Sequence, residues 1–281
     1  LITLKGMGYT NVKHLEGGMK AWERAGYERL DLSNISSEVL PEEGYELPIY
    51  WRDFGQRMVD IGVIDKEKFE QAMNLTDNQK EILSGKDERI VINSQNSRFI
   101  VNMLWALGLA QRSEVYTKGP MGTEYKVTAG NFASTGGWTL ARGDAVNYLG
   151  KYDLIPLTEE EQKRVSEIAK NVYRPCCGNN TWFPDCNHGM AALAAIELMV
   201  SEGLSDEEIY KSLLSLNSYW FPSTYMQAAT YFARQGVSWT EVDAKTVLGE
   251  GFSSARGAGE LAAKVGPLPY ETKGVGGSCG A

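Results

Sequence analysis

Residues 186–203 read Cys186-Asn187-His188-Gly189-Met190-Ala191-Ala192-Leu193-Ala194-Ala195-Ile196-Glu197-Leu198-Met199-Val200-Ser201-Glu202-Gly203. From 189 to 202 the run is rich in good helix formers, and Gly203 supplies a stop signal. The apolar stretch 189–200 is interrupted by Glu197 and falls short of the ~20 residues a bilayer-spanning helix needs. It therefore reads as one helix of a helical half of the chain.

The same punctuation recurs on both sides. Upstream, Thr158-Glu159-Glu160-Glu161 caps a helix running to about 172, and Pro175 closes it. Downstream, Ser205-Asp206-Glu207-Glu208 is a capping box for a helix over 207–216. Residues 223–234 form another, followed by Gly236. Ser238-Trp239-Thr240-Glu241 caps a further helix, and 253–264 make the last. Tyr219-Trp220-Phe221-Pro222 joins two of these helices and reads as a core plug. The expectation is a mainly α-helical domain over 156–266, with a boundary near 155.

Towards the N-terminus the pattern changes. Residues 51–61 and 66–73 read as helices, with a short third over 76–83. Residues 88–93 (ERIVIN) read as a buried strand, 98–109 as a helix and 113–116 as the next strand. The Gly, Ser and Thr-rich stretch 130–143 reads as a surface-lining loop. It has neither a Gly-Lys-Ser/Thr ending nor a G-x-G-x-x-G string to cradle phosphate. Residues 4–27 combine a helix end at Gly8, a short strand over 11–15, a Gly17-Gly18 turn and an amphipathic helix with Met19 and Trp22.

The string Gly8-Tyr9…Asn11-Val12…Leu15…Gly17-Gly18…Trp22…Gly26 resembles the closing part of a rhodanese-like domain. The strand–loop–helix–strand order of 88–116 resembles that family's catalytic half. Ser94 then stands near the position of the persulfide-forming cysteine, which implies a degenerate domain. No cysteine precedes Cys176, so the rhodanese-like segment cannot itself carry sulfur. His14, on the short strand, reads as structural. The expected organisation is an α/β rhodanese-like N-terminal part followed by the helical domain. Residues 1–30 are the end of a rhodanese-like domain, 31–155 an α/β region, 156–266 the helical domain and 267–281 a flexible glycine-rich tail.

Composition narrows the classes. The chain has 281 residues, 43% hydrophobic and 23% charged, as a folded globular protein has. Its net charge is −8, with no cluster of lysine and arginine interleaved with aromatics, which argues against nucleic acid as a partner. The chain opens on Leu1 rather than Met, as a fragment or processed product would. Seven Trp, fourteen Tyr and few lysines lean towards an exported, periplasmic or secreted protein.

Three of the four cysteines and one of the two histidines fall within 176–188. Cys186-Asn187-His188 directly precedes a helix, whose free N–H groups and positive dipole end favour an anion and lower a thiol's pKa. In a thiol-redox or sulfur-handling reading, Cys186 is the reactive centre, His188 its base or cationic partner, and Cys176 or Cys177 resolves. In a metal reading, Cys176, Cys177, Cys186 and His188 hold zinc, copper(I) or an iron–sulfur cluster. Met190 is a further thioether in reach, or a buried core residue. In a structural reading, a bridge such as Cys177–Cys186 closes a short loop, contributing ~2.7 kcal/mol. A role unconnected with cysteine, in assembly through aromatic surface, completes the set.

Cys279 lies in the tail Gly276-Gly277-Ser278-Cys279-Gly280-Ala281. Ten residues of such chain span roughly 17 Å on average and about 35 Å at full stretch. This end resembles the glycine-cysteine-glycine arm of the sulfur-carrier subunit of thiosulfate oxidation, which implies Cys279 as a mobile carrier. The leading expectation is an exported sulfur-handling or thiol-redox protein, with a sulfur-donor or redox protein as partner and homo-oligomers allowed. The cofactor is left open between none and a soft metal ion.

Overall fold

A computed structural model describes residues 16–25 and 34–268. The chain divides into two compact units, at 1–33 and 34–281. In the first, Gly17 and Gly18 take left-handed φ of 77° and 63° and lead into α1, Gly18–Arg24. That is the glycine turn and helix expected there. His14 and the strand expected over 11–15 lie outside the described residues.

The second unit is mostly helical with one small sheet. After α2 (Ile35–Val39) and β1 (Tyr45–Tyr50) come α3 (Phe54–Ile61), α4 (Lys66–Met73) and α5 (Asp77–Leu83). Next are β2 (Arg89–Ile92), α6 (Ser97–Ala110) and the short α7 (Val115–Lys118). The later helices are α8 (Glu159–Lys170), α9 (Asn187–Ser201), α10 (Asp206–Trp220) and α11 (Pro222–Ala233). α12 (Ala244–Leu248), α13 (Glu250–Ser253) and α14 (Ala255–Val265) complete the unit.

Helix α9 is its axis. Every residue from Asn187 to Val200 is buried, as a helix apolar on all sides requires. α6, α8, α10 and β1 pack around it. The approach to α6 is close because Gly108 has no side chain. A Cβ there would stand 2.3 Å from the Met190 carbonyl oxygen. The expected capping boxes are both present: Thr158 with Glu161 on α8, and Ser205 with Glu208 on α10.

Several expectations are corrected. The α/β arrangement reduces to two antiparallel strands, β1 and β2, paired through Tyr45↔Ile92 and Glu46↔Val91. Leu47, Ile49, Ile90 and Ile92 point into the core from this pair. A parallel β-α-β unit is absent among the described residues. Residues 113–116 are not a strand. The Glu114 N–H donates to Gln162 Oε1, and the Lys118 N–H closes back on the Glu114 carbonyl, so a helical turn forms. Residues 130–143 are a loop with many exposed residues, as expected, but it is anchored inward at Trp138, which is buried, donates to the Val63 carbonyl and packs edge-on against Trp105. The expected last helix forms as α14, starting two residues later because the Ser254 hydroxyl caps it by accepting from the Gly257 N–H. After Ser238 only a single 3-10 turn forms, and Asp243 caps α12 instead. The packing of α6 on α9 spans residue 155, and 34–268 lie within one unit.

Glu197, fully buried at mid-α9, has no hydrogen-bond partner on either carboxyl oxygen. Burial holds its pKa well above the usual carboxyl range, outweighing the nearby Ser113 hydroxyl, which lies outside good hydrogen-bond geometry. A folded pKa above the unfolded one means the native state holds the extra proton. Stability is then full below the usual carboxyl pKa and falls as pH rises above it, by up to about 1.4 kcal/mol per pH unit. Urea titrations from pH 5 to 7 are expected to show this decline in the native chain and a flatter profile in Glu197→Gln.

Candidate thiol site

The loop between α8 and α9 is pinned at several points before it reaches the cysteines. Tyr173 and Asn180 form an antiparallel bridge across its neck. The Thr181 N–H and hydroxyl both donate to the Val172 carbonyl, at 2.8 and 3.0 Å. The Cys177 carbonyl accepts from the Ala255 N–H at the start of α14, at 2.8 Å. The Ser134 N–H donates to the Asp185 carbonyl at 3.1 Å. A loop so tied presents its side chains in fixed places.

The three thiols converge. Their sulfurs all lie within 4.8 Å of one another, and Cys176 Sγ stands 3.5 Å from Cys186 Sγ. All three are free thiols, Cys176 and Cys177 half-buried and Cys186 9% exposed. Cys176 and Cys186 are thus in direct contact, a pairing beside the Cys177–Cys186 bridge considered from the sequence.

Cys186 is the N-cap of α9. Its backbone is extended, and its sulfur accepts from the Gly189 N–H at 3.4 Å, where serine or aspartate more often serves. The guanidinium of Arg174 lies against Gly189 at the same helix start. Arg174 is completely buried. It pairs with Asp185 at 2.9 Å and donates to the carbonyls of Asn179 and Phe183, at 3.0 and 3.3 Å. Its Nε has no oxygen partner. A Cβ on Gly189 would come within 2.5 Å of the guanidinium, so glycine there is what admits the arginine against the helix start. Asn179 Nδ2 completes the frame by donating to Asp185 Oδ2 at 2.8 Å.

These neighbours separate the three thiols electrostatically. Hydrogen bonds from Cys176 and Cys177 hold the Cys186 thiol well below its usual range, helped by the Arg174 charge and the Gly189 N–H, against the cost of burial. Cys176, donating to its neighbours, is pushed up. A bond with Cys176 would lower Cys177, but the bond to Cys186 and burial push it up to about 11. Burial alone would lower Arg174, and the sulfurs of Cys186, Cys177 and Cys176 outweigh it, so its charge is kept. Cys186 is thereby the most acidic of the three thiols.

His188 takes a different place from the one expected. Burial lowers its imidazole to about 4, with the Cys186 thiolate opposing and Arg174 adding to the fall, so it is neutral at pH 7. Its ring lies 4.5 Å from the Phe221 ring and 5.6 Å from that of Trp220, and Nδ1 has no partner. It does not join the three sulfurs within 4.8 Å. The cation beside Cys186 is Arg174. Met190 is also remote in role: fully buried, its sulfur accepts from the Tyr116 hydroxyl. Cys279 lies outside the described residues.

Arg174, Asp185 and Gly189 escaped the reading of the sequence, as did the buried chain of polar groups at Asn217, Tyr225 and Ser253. Tyr225 Oη stands 2.7 Å from Ser253 Oγ and accepts from Asn217 Nδ2 at 3.0 Å. A signal existed for the first two. Arg174-Pro175 abuts Cys176, and Asp185 abuts Cys186, so opposite charges flank both ends of the cysteine loop. Compared with known proteins, the chain matches no family model, no curated protein and no solved structure.

Proposed function

We propose that the chain works through a thiol/disulfide couple formed by Cys186 and Cys176, acting on a low-molecular-weight disulfide or sulfane. The observation that carries this reading is the 3.5 Å separation of the two sulfurs, with Cys186 Sγ accepting from the Gly189 N–H at the start of α9 and the buried Arg174 charge favouring its ionised form. The Cys186 thiolate attacks one sulfur of the substrate disulfide. A mixed disulfide forms and the substrate's other half leaves as a thiolate. Cys176 loses its proton to solvent and attacks Cys186 Sγ, releasing the second half. Two electrons pass from the pair to the substrate, and a Cys176–Cys186 disulfide remains. Small substrates are favoured because Cys186 is 9% exposed, too recessed for a folded partner's bridge. Cys279 as sulfur carrier, a redox protein that restores the thiols and an oxidising compartment extend the same proposal.

The pH profile of alkylation tests it. Mapped by mass spectrometry, iodoacetamide labelling of Cys186 is expected to be nearly flat from neutral pH upward. Labelling of Cys177 is expected to keep rising towards about 11. Profiles of equal shape for the two would remove the basis of the mechanism. His188→Gln is expected to leave the Cys186 profile in place, since the imidazole is already neutral.

A further inference from the structure

The redox couple uses two sulfurs, yet three converge. Cys177 has no part in the exchange between Cys186 and Cys176, and a second bridge would do without it. Its sulfur nevertheless lies within 4.8 Å of both others, held by a loop tied at Tyr173, Thr181 and the start of α14. A metal ion bonded to sulfur at about 2.3 Å in a trigonal plane places its three sulfurs about 4 Å apart. The triangle of Cys176, Cys177 and Cys186 has that size.

We infer that the three sulfurs form a site for one thiophilic d10 ion, copper(I), in three-coordinate geometry. Thiolate ligands select copper(I), zinc or iron–sulfur clusters among biological metals. Coordination number decides among them. Structural zinc takes four ligands and cubane or binuclear iron–sulfur clusters usually take four cysteines. Among the described residues no histidine, aspartate or glutamate ligand atom joins the three sulfurs. Asp185, the nearest carboxylate in sequence, is occupied on both oxygens, by Arg174 at 2.9 Å and Asn179 at 2.8 Å. Copper(I) is content with three soft ligands. On binding, Cys176 and Cys177 release their protons to solvent, and no electron moves. Arg174 and the Gly189 N–H then steady the added negative charge on sulfur. Their role is to position and support Cys186, as groups behind a metal ligand do.

This site goes beyond the redox reading, and Cys177 separates the two. The test is a copper(I) titration of the reduced 281-residue chain without oxygen, in competition with a chromophoric copper(I) chelator. One ion per chain is expected. Cys177→Ser is expected to weaken binding by more than about 100-fold, because losing a sulfur must cost more than the ten- to hundredfold of a change behind the ligands. Cys279→Ser is expected to leave affinity unchanged. Copper(I) added to the native chain is also expected to protect Cys176, Cys177 and Cys186 together from alkylation, which reads the site without any variant. Undiminished binding by Cys177→Ser, protection of fewer than three thiols, or displacement of copper(I) by equimolar zinc would each overturn the assignment. Cys177→Ser should still form the Cys176–Cys186 disulfide. Failure of that bridge would count against the redox reading and not against this one.

Discussion

Arg174→Met is expected to cost about 3 kcal/mol of folding stability, seen as a fall of about 1 M in the urea midpoint. Removing one partner of a buried ion pair strands the other, which typically costs about 3–5 kcal/mol. The lower end applies because the Asp185 side chain keeps 20% exposure and retains the Asn179 amide as donor. Methionine fills the space of the stem but leaves the Asn179 and Phe183 carbonyls without the guanidinium that now serves both. The same change deprives Cys186 of its neighbouring cation, so its alkylation profile should move to higher pH. Adding Asp185→Asn to the variant removes the stranded charge and should recover part of the stability. A double variant no better than Arg174→Met would mean the loss comes from packing rather than from charge.

Gly108→Ala is expected to destabilise the chain by about 2 kcal/mol, although alanine is the better helix former. The propensity gain is about 1 kcal/mol for an interior helical position. Against it stands a Cβ 2.3 Å from the Met190 carbonyl oxygen and 3.3 Å from the Ala194 Cβ. The first of these is backbone, in the opening turn of α9, and cannot swing aside as a side-chain end would. Overpacking of this kind costs about 1–3 kcal/mol, and the upper end applies when backbone must shift. Relief requires α9 to move away from α6. Because Cys186 caps α9, the thiol cluster should loosen too, and Cys186 should alkylate faster at any pH. Thermal and urea denaturation measure the first effect, and mapped alkylation the second.

How far the sequence discloses this molecule depends on whether a feature is written locally. The capping boxes at Thr158 and Ser205 each need only four consecutive residues, and both stand where the spacing predicts. The helix after His188 is legible for the same reason, and so is the value of its first turn to the Cys186 thiol. The 113–116 segment misleads because Val115 and Tyr116 favour strands in isolation, whereas the Glu114 N–H that starts its helical turn is taken by Gln162, about fifty residues away. The sheet suffers likewise: β1 and β2 are some forty residues apart, and nothing local dictates that they run antiparallel. At the site, the clustering of cysteines is plain in the sequence. That all three sulfurs converge, with Cys176 in contact with Cys186, is not, because the turn of the loop decides where adjacent Cys176 and Cys177 point. His188 also looks poised beside Cys186, but its burial among Trp220 and Phe221 is a tertiary fact. Arg174 reaches Gly189 only because the loop folds back, and that fold-back assigns the cationic role to it.

The pairing of Cys186 with Cys176 is tested most directly by oxidising the reduced 281-residue chain with a small excess of oxidised glutathione and mapping the bridges. The proposed mechanism predicts a transient glutathione adduct on Cys186, then a Cys176–Cys186 disulfide with Cys177 still free. A stable adduct on Cys176 or Cys177, or a bridge that leaves Cys186 reduced, would contradict it.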